Sequence, residues 1–380
     1  MASNSITSLQ PSASGTRRVL SGMRPTGKLH LGNYMGALKN WVGLQHQTHP
    51  DGSRKYECYF FIADYHALTT DYADSRNVSQ NTLDVALDWL GAGLEPEDCT
   101  LFVQSHVPQH AELHLVLSMI TPLGWLERVP TYKEQQENLQ GRDLSTYGFL
   151  GYPLLQSADI LVYQADLVPV GQDQVAHVEL TREVARRFNQ FCPPAGYTPP
   201  TRAELSKTQA DAGGEMPAAG PRPILPEPQV LLTPSPKLPG TDGRKMSKSY
   251  GNTILLTDPE PVVRQKLRPM VTDPARIRRT DPGDPDKCPV GDLHKVFSSP
   301  ETLAKVYDGC RSASIGCIEC KGWAADSIVR ELAPIQERRA QYDEKRVIDL
   351  LSDGAVRARR CASATMAQVT AAMHLLPERA

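Results

Sequence analysis

Arg18-Val19-Leu20-Ser21-Gly22-Met23-Arg24-Pro25-Thr26-Gly27-Lys28-Leu29-His30-Leu31-Gly32-Asn33 is the stretch that decides the fold. Arg18 to Gly22 reads as a short buried strand, Pro25 and Gly27 turn it, and from Leu31 to about Gln45 the apolar spacing becomes helical. Glycine at 27 and 32 lets the backbone approach a nucleotide with no side chain in the way. The helix beginning near Leu31 aims free N–H groups at an anion. His30 and Asn33 stand beside it as side-chain donors. The plain alternative is a capped turn of the kind any α/β protein has.

Outward from this corner, strands and helices alternate. Tyr56–Ile62 and Thr100–Gln104 are β-rich, and Val78–Leu90 between them is helical, with apolar Leu83, Leu87 and Leu90. Residues 153–164 read as helix, Leu167–Val170 as strand, and Asp173–Phe188 as helix with Leu180, Val184 and Phe188 at four-residue spacing. Val230–Thr233 is a further strand. This alternation predicts an α/β fold, a parallel sheet covered on both faces. Residues 193–228 are rich in Pro, Gly and Ala and read as an exposed insertion. After Asp258 the chain turns helical, with helices over Ala324–Ala340, Arg346–Cys361 and Ala364–His374. The expected organisation is a tail (1–16), a catalytic domain (17–258) and a helical domain (259–380). No internal repeat is visible.

Composition narrows the class. Hydrophobic residues make up 40% and charged residues 22%, as in ordinary globular domains. A net charge of −2 gives no support to bulk electrostatic capture of nucleic acid, so RNA contact would use local basic patches, and no DNA partner is expected. No apolar run reaches the roughly 20 residues of a membrane span. The Ser-rich first 16 residues lack an apolar h-region and read as a loose tail rather than a secretory signal; an organelle-targeting reading stays open.

The second decisive stretch is Gly243-Arg244-Lys245-Met246-Ser247-Lys248-Ser249, far downstream. Two lysines and two serines stand on a loop (243–251) with glycines at 240, 243 and 251. Such ammonium groups can close on a leaving pyrophosphate and favour the transition state over the ground state. The bland alternative is a solvated basic loop.

The order of the two stretches resembles the paired HIGH and KMSKS signatures of class I aminoacyl-tRNA synthetases. More specific runs look like tryptophanyl-tRNA synthetases of the bacterial type: 21–27, 32–37, Ala158–Tyr163, Val168–Gln174, Glu179–Arg182 and Arg187–Asn189. The likeness covers 18–192 and 229 to about 375. It implies a Rossmann-like catalytic domain, a helical anticodon-reading region, a homodimer in the cytoplasm, and ATP used with Mg2+ to join L-tryptophan to tRNA(Trp). It also implies site residues. His30, Asn33, Lys245 and Lys248 would serve catalysis. Arg24, Pro25, Thr26 and Gly32 would bind ATP, with Gly171, Gln172, Asp173 and Val230, and with Met246, Ser247 and Ser249. Gly22, Tyr152, Gln156, Asp159, Val168, Val170 and Gln174 would line the tryptophan site.

Elementary geometry supports part of this. Tyr152, Gln156 and Asp159 stand at i, i+4 and i+7, so a helix begun at Pro153 puts them on one face. A carboxylate there can accept the indole N–H, the only polar handle on that side chain. Phenylalanine would leave it unpaired, a penalty worth about 10⁴-fold or more in discrimination. The alternative for Asp159 is a helix-surface aspartate, and for Asp173 a helix cap, compatible with ribose contact. In two places the chain departs from many relatives: Arg24 stands where glutamine is expected, and Gln156 where methionine often lines the indole pocket.

Cys288, Cys310, Cys317 and Cys320 have the spacing C-x21-C-x6-C-x2-C. Four thiolates suit tetrahedral zinc or an iron–sulfur cluster, and free thiols remain a third reading. The spacing resembles that of family members carrying a [4Fe–4S] cluster. Arg276, Arg278, Arg279 and Lys287 nearby are candidate tRNA phosphate contacts or a solvated loop. Cys58, Cys99, Cys192 and Cys361 read as small core residues. Rival functions are a tyrosyl-tRNA synthetase-like sibling, a small nucleotidylyltransferase, and a non-catalytic tRNA-binding paralogue.

Overall fold

The computed structural model describes residues 16–130, 144–198, 222–232 and 238–376. Nearly all of the expected tail, most of the 193–228 insertion and Thr233 lie outside them. Its centre is a five-stranded sheet in the order β3-β2-β1-β4-β5. The strands are β1 (Arg17–Met23), β2 (Tyr56–Ile62), β3 (Cys99–Val103), β4 (Leu167–Val170) and β5 (Gln229–Leu232). Every pairing is parallel. β2 is buried along almost its whole length, as a strand covered on both faces must be. All five expected strands are present, shifted by a residue at most.

The strand order creates the site. The chain lays β1, β2 and β3 outward, then returns to the other side of β1 with β4. A crevice therefore opens between the carboxyl ends of β1 and β4, where open α/β sheets bind ligands. Near the end of β1, position 22 admits only glycine, because a Cβ there would stand 2.5 Å from the ring of Phe61, its register partner on β2.

The helices depart from expectation in instructive ways. The helix expected from Leu31 to Gln45 is three pieces: α1 (Leu31–Asn33), a π turn (Tyr34–Leu38) and α2 (Lys39–Gln45). Such widened turns concentrate at functional sites, and this one carries Tyr34, whose hydroxyl donates to Glu331 at 3.0 Å. Next come α3 (Asp64–Asp71), α4 (Val78–Ala92), α5 (Gln109–Ser118), α6 (Leu123–Leu126), α7 (Tyr147–Leu161) and α8 (Val175–Phe191). α7 does not begin at Pro153. Thr146 caps it by accepting the Phe149 N–H at 3.2 Å, and Pro153 sits inside at the loss of one helix hydrogen bond. Asp173 does not cap α8: Gln172–Gln174 form a 3₁₀ turn, and Gln174 holds the cap position without a side-chain bond.

The later chain forms α9 (Glu260–Leu267), α10 (Pro289–Phe297), α11 (Pro300–Arg311), α12 (Cys317–Arg339) and α13 (Glu344–Ala372). The two expected terminal helices are one, because the Cys361–Ala364 junction holds only small helix-compatible residues and no proline or glycine. Gly354 lets α13 lie directly on β3, since a Cβ there would fall 1.7 Å from the Leu101 carbonyl oxygen.

One buried cluster joins Trp41, Phe60 and Trp89 to Leu332, Ile335 and Leu351, so apolar packing runs unbroken past residue 258. Trp41 stacks on Phe60 at 4.8 Å and meets Trp89 edge-on at 5.4 Å. Full burial of a side chain such as Phe60 contributes about 1.5–3 kcal/mol. Among the described residues no helix is long and apolar enough to cross a membrane.

Candidate active site

The two signature stretches meet because short backbone pairings zip them together. Leu31 N–H donates to the Ile254 carbonyl and Leu256 N–H to the Leu29 carbonyl, each at 2.9 Å. The 243–251 loop folds on itself through Gly240 N–H to Arg244 O at 2.7 Å and Met246 N–H to Leu238 O at 3.0 Å. Asn252, buried, staples its base: its Oδ1 accepts the Ser247 N–H at 2.8 Å and its Nδ2 donates to Asp242 at 2.6 Å. Met246 is buried close to Gly32, and the Ser247 and Ser249 hydroxyls lie 2.8 Å apart.

Lys248 crosses the junction. Its Nζ donates to the carbonyls of Thr26 at 2.9 Å and Gly27 at 2.8 Å, in the turn that follows Pro25. Burial lowers its pKa, with Asp88 and Asp84 acting the other way. His30 caps α1: its Nδ1 accepts the Gly32 N–H at 3.0 Å, while the Asn33 side-chain oxygen accepts the His30 N–H at 3.1 Å. His30 therefore presents Nε2–H, and Asn33 its side-chain NH₂, as donors. Burial first, then Lys248 and Lys245, bring the His30 pKa down to about 4, so the ring is neutral at physiological pH.

Asp159 is not on the surface. It is 1% exposed on α7, and its carboxylate meets groups that follow the carboxyl ends of β2 and β3. Its Oδ1 accepts from Gln104 Nε2 and His110 Nδ1, both at 2.7 Å, and its Oδ2 from His66 Nε2 at 2.8 Å. Burial pushes the carboxyl up, but the bonds from His110 and His66 win and hold it near 2, hence ionised. His177, brought to about 4 by burial and then by His66, lies with its ring 5.6 Å from that of Tyr152. Tyr152 and Val168 are buried; Gln156, Val170 and Gln174 are half-buried. Val230 pairs with Val168 in the sheet.

The turn after β4 is open. Gln172 and Asp173 are exposed, Gly171 half-buried, and Gln174 Nε2 donates to Asp173 at 3.0 Å. Arg24 leaves β1 toward α3, bonded to Thr70 and 3.9 Å from Asp71.

Cys288, Cys310, Cys317 and Cys320 line one small cavity with Thr272, Asp273, Arg276 and Val290. They are not drawn tightly together: among the described residues the group of potential ligands all within 4.8 Å of one another is His46, Glu95 and Asp98. Burial, then the neighbouring cysteines, push the Cys320 thiol up to about 12. Arg276 does not face solvent as a phosphate contact would. Its Nη2 bridges the carbonyls of Arg279 at 2.9 Å and Ile315 at 2.6 Å, and its Nη1 lies 3.7 Å from Cys310 Sγ.

Sequence reading passed over His66, Gln104, His110, Asp88 and Asn252. Two carried a usable signal: Gln104 directly follows β3 and His66 stands just beyond β2, at the strand ends where α/β ligands bind.

Comparison with known proteins agrees with this geometry. The family described as tRNA synthetases class I (W and Y) matches residues 13–333. A tryptophan–tRNA ligase of Ralstonia nicotianae is 50% identical, over 94% of this chain and 98% of its own. That of Thermotoga maritima is 48% identical, over 94% of this chain and 99% of its own. Among solved structures, tryptophanyl-tRNA synthetase from Campylobacter jejuni complexed with ADP and tryptophan superposes with a TM-score of 0.78 at 29% identity, covering 94% of this chain and 100% of that one. The chain belongs to the W and Y family of class I tRNA synthetases.

Proposed function

We propose that this enzyme activates L-tryptophan with ATP, forming tryptophanyl-adenylate and pyrophosphate, and then passes the tryptophanyl group to the terminal adenosine of tRNA(Trp). One observation carries the choice of amino acid: a buried, ionised acceptor, Asp159, among groups that follow the carboxyl ends of β2 and β3. The indole N–H takes the acceptor position left on this carboxylate beside Gln104, His110 and His66. Tyr152 and Gln174 hold the ammonium end, while Gly22, Gln156, Val168 and Val170 line the ring.

The tryptophan carboxylate attacks the α-phosphorus of ATP, which arrives as its magnesium complex. Lys248, Lys245, Ser247 and Ser249 follow the charge that builds on the pyrophosphate. His30 and Asn33 donate to the phosphate chain, and the backbone at Pro25, Thr26 and Gly32 gives it room. Gly171, Gln172 and Asp173 meet the ribose, Val230 and Met246 support the adenosine side, and Arg24 adds charge. The test is ATP–pyrophosphate exchange with tryptophan against tyrosine. Tryptophan alone should drive it; exchange with tyrosine favours the sibling enzyme, and none with either favours a non-catalytic tRNA binder.

We further propose that the four cysteines hold a [4Fe–4S] cluster. Arg276 is buried beside them and its Nε has no hydrogen-bond partner, so the cavity suits an anionic, thiolate-held group. Zinc–thiolate bonds of about 2.3 Å would draw four thiolates closer than these thiols stand; a cluster is larger. When bound it would tie the Pro/Gly-rich 281–291 loop to α11 and α12. Iron, sulfide and zinc analysis after anaerobic purification decides, with Cys320→Ser expected to lose the iron.

The helical region 259–380 is proposed to read the anticodon, with Arg278 and Arg279 exposed beside Ile277. A homodimer is supported by exposed Leu115, Leu123 and Tyr147, on α5, α6 and the α7 against which both pack, with exposed Met119 just past the end of α5. Sedimentation equilibrium tests it. Unpaired thiols throughout suit a cytoplasmic setting.

A further inference from the structure

We propose that Tyr163 and His110 are positioning residues for indole recognition, holding one oxygen of the Asp159 carboxylate so that the other faces the ligand as its acceptor. This rests on Asp159 being the indole acceptor. Neither residue is needed to touch substrate, and neither belongs to the signature stretches.

The hydrogen bonds form one buried chain. Tyr163, His110 and Gln104 are all 0% exposed and Asp159 is 1% exposed, so no solvent can exchange roles with them. An ionised carboxylate only accepts, so the His110 nitrogen at 2.7 Å, Nδ1, must carry a proton. The opposite nitrogen, Nε2, is hydrogen-bonded to the Tyr163 hydroxyl at 2.9 Å. The chain thus runs from Tyr163 through His110 to Asp159 Oδ1. Burial pushes the Tyr163 phenol well above its ordinary range, which keeps the hydroxyl protonated. Rings of Phe61 and Phe102, 5.5 and 6.0 Å from that of His110, confine the imidazole.

The count of acceptor positions explains what this achieves. A carboxylate offers about four. His110 and Gln104 fill Oδ1, and His66 takes one on Oδ2 at 2.8 Å. A single position remains, and only an N–H or O–H can use it. Without the Tyr163–His110 pair the carboxylate can turn and share its donors differently, so the open position is no longer fixed.

The experiment measures ATP–pyrophosphate exchange with tryptophan and with the analogue in which sulfur replaces the indole N–H, using the full-length enzyme. Tyr163→Phe should narrow the preference for tryptophan about tenfold, through KM for tryptophan, with kcat and KM for ATP unchanged. His110→Leu should narrow it further, and His110→Asn, which keeps a donor near the Nδ1 position, should recover part. The proposal is overturned if Tyr163→Phe and His110→Leu keep the full preference while Asp159→Asn loses it. If Asp159→Asn also keeps it, the indole reading itself falls and the relay with it. Circular dichroism checks folding; should His110→Leu not fold, Tyr163→Phe decides alone.

Discussion

Arg339, on the last turn of α12, and Leu29, in the first signature stretch, are held on opposite oxygens of one buried carboxylate. Asp88 Oδ2 accepts the Leu29 N–H at 2.7 Å and its Oδ1 accepts Arg339 Nε at 2.8 Å. Burial raises the Asp88 pKa, and these bonds oppose it. The nucleotide corner is thereby anchored to the helix that begins with Cys317 and Cys320.

Arg339→Gln should leave Asp88 buried with half its support. Breaking such a pair costs about 3 kcal/mol, and urea unfolding should show it. Because Leu29 precedes His30, KM for ATP should rise as well. An unchanged unfolding midpoint would remove Asp88 from this role.

Lys248→Ala removes the ammonium that spans from the 243–251 loop to Thr26 and Gly27. The activation step should slow about a hundredfold or more, with tryptophan affinity, read by fluorescence titration, little changed. Equal losses in rate and tryptophan binding would mean that the loop shapes the amino-acid pocket instead.

Stability should fall as the solution is acidified. His30 and His177 titrate near 4 in the folded chain against 6.5 when unfolded. Between those values the unfolded chain binds protons that the folded one refuses, so folding weakens as pH drops through this window. Asp159, near 2 when folded against 3.8, continues the trend below it. Urea midpoints across the range check this; a flat profile from 6.5 to 4 would show both histidines to be solvated.

Much of the fold is legible in the sequence. The strand, turn and helix around Gly27 and Gly32 stand where the sequence places them, and apolar runs locate all five strands. Tyr152, Gln156 and Asp159 do share the face of one helix. Helix ends were less legible: Thr146 outweighs Pro153 as a start signal, and the Ala-rich stretch around Cys361 carries no stop. Least legible were the partners of buried charge. Asp88 looks like a surface residue of an amphipathic helix until Arg339 arrives from 251 positions away. His110 and Gln104 acquire meaning only once the sheet brings them to Asp159. Periodicity reports which face is buried; it does not report which buried polar groups find one another.

The central claim is that Asp159 selects tryptophan beside a nucleotide site assembled from both signature stretches. Tryptophan-dependent ATP–pyrophosphate exchange by Asp159→Ala, against the unmutated enzyme, tests it most directly. The expected result is a loss in kcat/KM for tryptophan of about a thousandfold or more, with KM for ATP and the circular dichroism spectrum preserved. Exchange within a few-fold of the unmutated rate would contradict it.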